Sequence, residues 1–184
     1  MRKIVLTFGL IAGVIMSLMM AMTLPFHDQI GFDNGMIIGY ASMVAAFLLI
    51  FFGVKTYRDT VAGGSVTFWR AFSVGMLIAF VASACYVVTW EMIYPKIGDE
   101  YAANYKAHEL EKIRASGASQ ATIDAKIAEM DRNWKMYENI AIRAPLTFSE
   151  PLPPAIIVSL ITAALVRRRR EEDAASAATQ PQRA

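Results

Sequence analysis

Four long apolar stretches limit what this chain can fold into more than any other feature. The most regular is Arg70–Tyr94, RAFSVGMLIAFVASACYVVTWEMIY, which runs twenty residues from Ala71 to Trp90 without a charge. A helix of that length covers about 30 Å of hydrocarbon. Ala71, Gly75, Ala79 and Ser83 recur at four-residue spacing, so they form a smooth ridge on one helical face.

The other stretches frame this one. Ile4 to Leu24 follows Met1-Arg2-Lys3 and resembles a secretory signal, but its 21 residues exceed an h-region of about 7–15 and no A-x-A site follows. It reads as a retained first span, with Gly9, Gly13, Ser17 and Ala21 as its ridge. Gly35 to Val54 is the second span. The fourth lies between Pro145 and Val166, and Glu150-Pro151-Leu152-Pro153-Pro154 interrupts its start. Ala155 to Val166 alone gives about 18 Å of helix, too short to cross. The Glu-Pro segment therefore lies within or at the edge of the bilayer.

Composition agrees: 55% of the 184 residues are apolar and 18% charged, with a mean hydropathy of +0.38, where soluble domains carry about a quarter charged residues. The fold class is an all-α membrane protein, four transmembrane helices with a helical-hairpin insert between spans 3 and 4. Residues 1–95 hold the first three spans (about 4–24, 35–54 and 71–94). Residues 96–144 form the extracytoplasmic helical hairpin, 145–170 the fourth span and an arginine anchor, and 171–184 a disordered cytoplasmic tail.

The insert changes composition completely. Eight basic residues offset eight acidic ones between Lys96 and Arg143. Gly117 suits the left-handed position after its first helix, and Ser119 suits the N-cap of its second. Ile123, Ile127, Met130, Trp134 and Tyr137 form a narrow apolar seam. Elsewhere, Gly63-Gly64 marks a turn, and Ser65 or Thr67 is positioned to cap the helix after it.

Basic residues at the span ends (Arg2, Lys3, Lys55, Arg58, Arg70, Arg167 to Arg170) fall on one side of a four-span chain. The first opposite turn, Pro25 to Asn34, has none. The positive-inside rule then puts both termini in the cytoplasm and the insert outside.

Few residues suggest chemistry. Glu91 and Glu150 end and begin spans on the outer side, near His27, Asp28 and Asp33, and could bind a cation or carry protons. The plainer reading makes them interface-level charges, with Glu91 or Glu150 paired to Lys96 or Arg143. His108 sits in HELEK, which lacks the second histidine of a zinc helix. No phosphate loop, nucleophile elbow or redox cysteine pair is present, Cys85 is the single cysteine, and the four arginines after span four suit a stop-transfer anchor better than nucleic acid. The chain reads as non-enzymatic, with no cofactor, no metal and no nucleic-acid partner.

Several stretches together resemble the bacterial domain-of-unknown-function family 4199: Phe51 to Asp59 (FFGVKTYRD), Gly63-Gly64 with Thr67-Phe68 and Ala71-Phe72, and Glu150-Pro151-Leu152-Pro153. The resemblance implies a four-helix membrane protein of bacteria, hence of the inner membrane, and carries no activity. It directs attention to Tyr57, Arg58, Gly63, Gly64, Glu91 and Glu150. Two functions compete. The favoured one is a complex subunit or envelope accessory factor acting through helix association, whose partners are the lipid bilayer and a second copy or another membrane protein. The alternative is a small oligomeric transporter or channel using Glu91 and Glu150; against it, no span carries a charge near mid-membrane.

Overall fold

The computed structural model describes the backbone of residues 1–179 and the side chains of 1–26 and 29–167. The expectations for the His27 and Asp28 side chains, and for residues 180–184, lie outside the described residues. All regular structure described is helical: α1 (Arg2–Thr23), a 3-10 turn (Leu24–Phe26), α2 (His27–Ile30), α3 (Phe32–Thr60), α4 (Phe68–Ala115), α5 (Gln120–Tyr137), α6 (Ile140–Ser149) and α7 (Leu152–Thr179). Four segments are long and apolar enough to cross a membrane: Arg2–Phe26, Phe32–Thr60, Phe68–Ala115 and Ile140–Arg167.

The helix ends follow local chemistry. At the end of α3 the Val61 and Ala62 amides both donate to the Tyr57 carbonyl, and Gly64 N–H closes back on Arg58 O at 2.9 Å. Gly63 and Gly64 have φ of +65° and +86°, the left-handed conformation that glycine adopts without strain. Thr67 stands at the N-cap of α4 but makes no capping bond through its side chain. The hydroxyl of Ser119 does cap α5, accepting from Thr122 N–H at 3.3 Å, and Asn139 caps α6 by accepting from Ala141 N–H at 3.0 Å.

Two element boundaries differ from the sequence reading. Span three was expected to end near Pro95, yet α4 runs through Pro95 for 48 residues, about 72 Å of helix. Proline removes one backbone donor and crowds the carbonyl four residues back. Ring contacts bridge the proline: Trp90 meets both Tyr94 and Tyr101, and these two rest on Tyr137 and Trp134 of α5. The tail expected to be disordered from 171 continues α7 to Thr179, in keeping with its helix-favouring Glu and Ala content.

The membrane-length helices form a ring in the order α1, α4, α7, α3, with α3 and α4 also meeting across the middle. The small-residue ridges make this possible. A Cβ added at Gly9 would lie 2.6 Å from Val81 Cβ, and one at Gly13 would lie 2.6 Å from Cys85 Cβ. One turn further on, Thr89 Oγ1 donates to Ser17 Oγ at 2.7 Å. Gly9, Gly13 and Ser17 thus meet Val81, Cys85 and Thr89 in register, with α1 and α4 parallel. On the other side of α4, a Cβ at Gly75 would lie 2.8 Å from Ser159 Oγ, and Ala71, Ala79, Ser83, Ala155, Ser159 and Ala163 are all fully buried. Phe47, Ile50, Val54 and Ile78 fill the space between α3 and α4.

The Glu150-Pro151 break separates α6 from α7 inside the fourth apolar segment, and Pro151 is almost wholly buried. Leaving the bundle, α4 packs on α5 and α6. This end of the molecule, called the insert end below, carries most of the ring contacts among the described residues.

Candidate functional site

At the insert end the helices border a half-open cavity of about 760 Å³. Its walls come from five parts of the chain. Met16, Met19, Met20 and Thr23 line it from the end of α1, and Phe32, Gly35, Met36, Gly39 and Met43 from the start of α3. Tyr86, Trp90, Tyr101, Tyr105 and His108 come from α4, Met130, Trp134 and Tyr137 from α5, and Thr147 and Glu150 from the fourth apolar segment. From Tyr86 to Lys112, both of which line the cavity, α4 advances about 39 Å.

The lining is amphipathic. Along α4 and α5 the rings meet edge to face: Trp90 and Tyr101 have centroids 5.8 Å apart, Tyr105 and Trp134 6.0 Å, and Trp134 and Tyr137 5.4 Å. Such pairs hold their positions better than aliphatic side chains because the ring edges carry positive charge and the faces negative. Methionines on the opposite wall are flexible and adapt to irregular shapes.

About half of the lining residues carry a polar group, and the charged ones are Asp33, Glu109, Lys112, Lys126 and Glu150, most of them already paired. At one end Lys112 Nζ lies 2.6 Å from Asp33 Oδ1, with His108 Nε2 3.7 Å from the same oxygen. Lys126 pairs with Glu129 at 3.0 Å. Tyr137 and Thr147 share a hydroxyl hydrogen bond of 3.2 Å, and burial pushes the Tyr137 hydroxyl above the ordinary tyrosine range, so it stays neutral. The Trp90 indole N–H is buried and meets no acceptor at hydrogen-bond geometry. At the other end Glu150 accepts a hydrogen bond from the Tyr86 hydroxyl at 3.2 Å. Among the described residues no basic side chain forms an ion pair with Glu150.

Glu91 has a different setting. Arg143 donates Nε to one Glu91 oxygen at 3.0 Å and an Nη to the other at 2.6 Å, a two-pronged pair of planar groups. The two carboxylates thus have different partners at the insert end. Glu91 is tied to Arg143, as the plainer reading anticipated, and only Glu150 lines the cavity.

The remaining singled-out residues gather at the far end of the bundle. Arg70 Nε donates to the Tyr57 hydroxyl at 3.0 Å, and the buried Arg58 pairs with Asp59 at 2.6 Å. Gly63 and Gly64 form the turn described above. These four residues terminate α3 and fix the start of α4, which is a structural part. Among the described residues no three His, Cys, Asp or Glu side chains come together to hold a metal.

Sequence reasoning missed Tyr86, Trp90, Tyr101 and Tyr105 as site residues. A signal was present: Tyr86, Trp90, Tyr94, Tyr101, Tyr105 and His108 recur at four, four, seven, four and three, one helical face continuing across Pro95.

Residues 7–168 match the family model described as a protein of unknown function, DUF4199. No curated protein and no solved structure matches the chain.

Proposed function

The chain belongs to the DUF4199 family, and we propose that it is a non-enzymatic membrane protein that works by holding a small apolar or amphipathic molecule in the cavity of its insert end. The observation that carries this reading is the cavity itself. Its volume of about 760 Å³ falls within the range of about 300–1,000 Å³ typical of small-molecule sites. Its lining has their usual character too, apolar and aromatic with convergent polar groups.

In this reading the protein sits in a bacterial inner membrane with both termini cytoplasmic. Residues 96–144 form a helical hairpin outside, so the cavity opens near the outer face. The support is the distribution of basic residues, which favours the end opposite the insert. The reading narrows the expected role of accessory factor or complex subunit. Helix association was its main warrant, and the ridges that suggested it are occupied inside the chain. Transport remains the alternative, with Glu150 in the cavity and Glu91 withdrawn from it by Arg143.

Photolabelling in native membranes tests the proposal. A neutral aryl-diazirine probe should mark cavity residues such as Met36, Met130 and Trp134 more heavily than lipid-facing ones such as Leu10 or Ile161. Gly39 lines the cavity and has nothing within 4 Å of an added Cβ, so Gly39→Phe should narrow the space and reduce those labels while the fold persists. Labels confined to lipid-facing positions, or unchanged in Gly39→Phe, would overturn it.

A further inference from the structure

We infer that the cavity selects hydrophobic organic cations, with the positive centre placed between the Glu150 carboxylate and the rings of Tyr86, Trp90 and Tyr101. This rests on the reading of the cavity as a binding site and adds a charge preference to it. The argument starts from what each charged group already has. Asp33 holds Lys112, Glu91 holds Arg143, and Lys126 holds Glu129. Glu150 has one neutral partner, the Tyr86 hydroxyl, and lines an apolar space.

Glu150 is exposed to the cavity, so a cation entering there would meet its carboxylate directly. The surrounding rings offer a cation the same sign of field, because an aromatic face is negative and attracts ammonium or guanidinium groups. The molecule already shows that its aromatic wall does this. On the wall's other side the Arg143 guanidinium lies 3.8 Å from the centre of the Tyr94 ring, and Tyr94 packs on Trp90 at 5.8 Å. Trp90 belongs to the same aromatic wall and lines the cavity with Glu150, which among the described residues has no ion pair with a basic side chain.

An inorganic ion suits this site poorly. Small metal ions demand several oxygen ligands, and among the described residues no three His, Cys, Asp or Glu side chains come together to supply them. A bulky organic cation needs no such shell, and its apolar body would meet Met16, Met20 and Met43 on the opposite wall.

Two ions of nearly the same shape and opposite charge make the test. Tetraphenylphosphonium and tetraphenylborate are titrated into the full-length protein in nanodiscs, with empty nanodiscs subtracted and binding read by Trp fluorescence and calorimetry. Tetraphenylphosphonium should bind about tenfold more tightly than tetraphenylborate, and Glu150→Gln should remove that preference. Gly39→Phe should weaken binding of both. Equal binding of the two ions to the wild-type protein, weakened in Gly39→Phe, overturns the cation preference and leaves the cavity a binding site. Failure of both ions together with absent photolabelling overturns both readings. Should Glu150→Gln not fold, the comparison of the two ions on the wild-type protein decides alone.

Discussion

Arg143 reaches Glu91 with Nε and one Nη, donates its other Nη to the carbonyls of Tyr137 and Glu138 at 3.2 and 3.0 Å, and lays its guanidinium on the Tyr94 ring. One side chain thereby joins α4, the end of α5 and the start of the fourth apolar segment. It is 8% exposed and the Glu91 side chain 17%, so removing either partner strands a charge with little water around it. Arg143→Met is expected to lower stability by about 3 kcal/mol, read as an earlier thermal transition of the purified protein. Lysine has no planar fork, so Arg143→Lys should recover only part of the loss. Much of the cost comes from the stranded carboxylate, so adding Glu91→Leu to Arg143→Met should restore stability relative to Arg143→Met alone. A double variant no more stable than Arg143→Met would show that the contacts to Tyr94 and the α5 carbonyls matter more than the ion pair. That Glu91 would meet a nearby base was legible in the sequence. The choice of Arg143 over Lys96 was not, because it depends on how α5 returns to α4.

The α1–α4 seam is the element on which the bundle depends most directly. An alanine at Gly13 would place its Cβ 2.6 Å from Cys85 Cβ, 2.9 Å from Cys85 Sγ and 3.3 Å from Ala82 Cα, and the α4 backbone cannot retreat without disturbing its contacts with α7. Overpacking of this kind costs about 1–3 kcal/mol. Gly13→Ala should destabilise the protein by that order, Cys85→Gly in the same chain should return part of it, and Gly39→Ala, in open space, should change stability little. Thermal melting of the four proteins would check the pattern; a harmless Gly13→Ala would mean that the seam is looser than its contacts indicate. The ridge residues were readable because four-residue spacing is a local property of one helix. Their partners were not, since nothing in α1 specifies that Gly13 meets Cys85 rather than a residue of α3 or of a second copy. The length of α4 escaped for another reason. Proline and the onset of charge both mark the end of a membrane span, and neither is sufficient to end a helix. The cavity escaped because its lining comes from segments up to 134 positions apart, Met16 to Glu150, and only the aromatic face of α4 is visible within one of them.

At the scale of the whole molecule, inward and outward faces divide cleanly. On α1, Gly9, Gly13 and Ser17 face α4, while Leu6, Leu10, Val14 and Leu18 stay exposed at the same four-residue spacing. On α7, Ser159 and Ala163 are buried while Ile157 and Ile161 are exposed. A bundle that buries small residues and exposes large aliphatic ones suits lipid as solvent, where close helix approach matters more than apolar burial. Its two ends differ just as consistently. Arg2, Lys3, Lys55, Arg58, Arg70 and Arg167 lie at the far end, whereas the insert end carries most of the ring contacts, the cavity and balanced charges. If the positive-inside rule governs this chain, a single cysteine at Ser116, exposed in the turn between α4 and α5, should react with a membrane-impermeant maleimide added to intact spheroplasts. A cysteine at Val61, exposed in the turn after α3, should react only after the membrane is opened. Both are placed in a Cys85→Ala background, which keeps the close contact with Gly13 small. The opposite labelling pattern would invert the topology and turn the cavity toward the cytoplasm. The charge test at Glu150 would then still apply, because it depends on the groups lining the cavity and not on which compartment supplies the ligand.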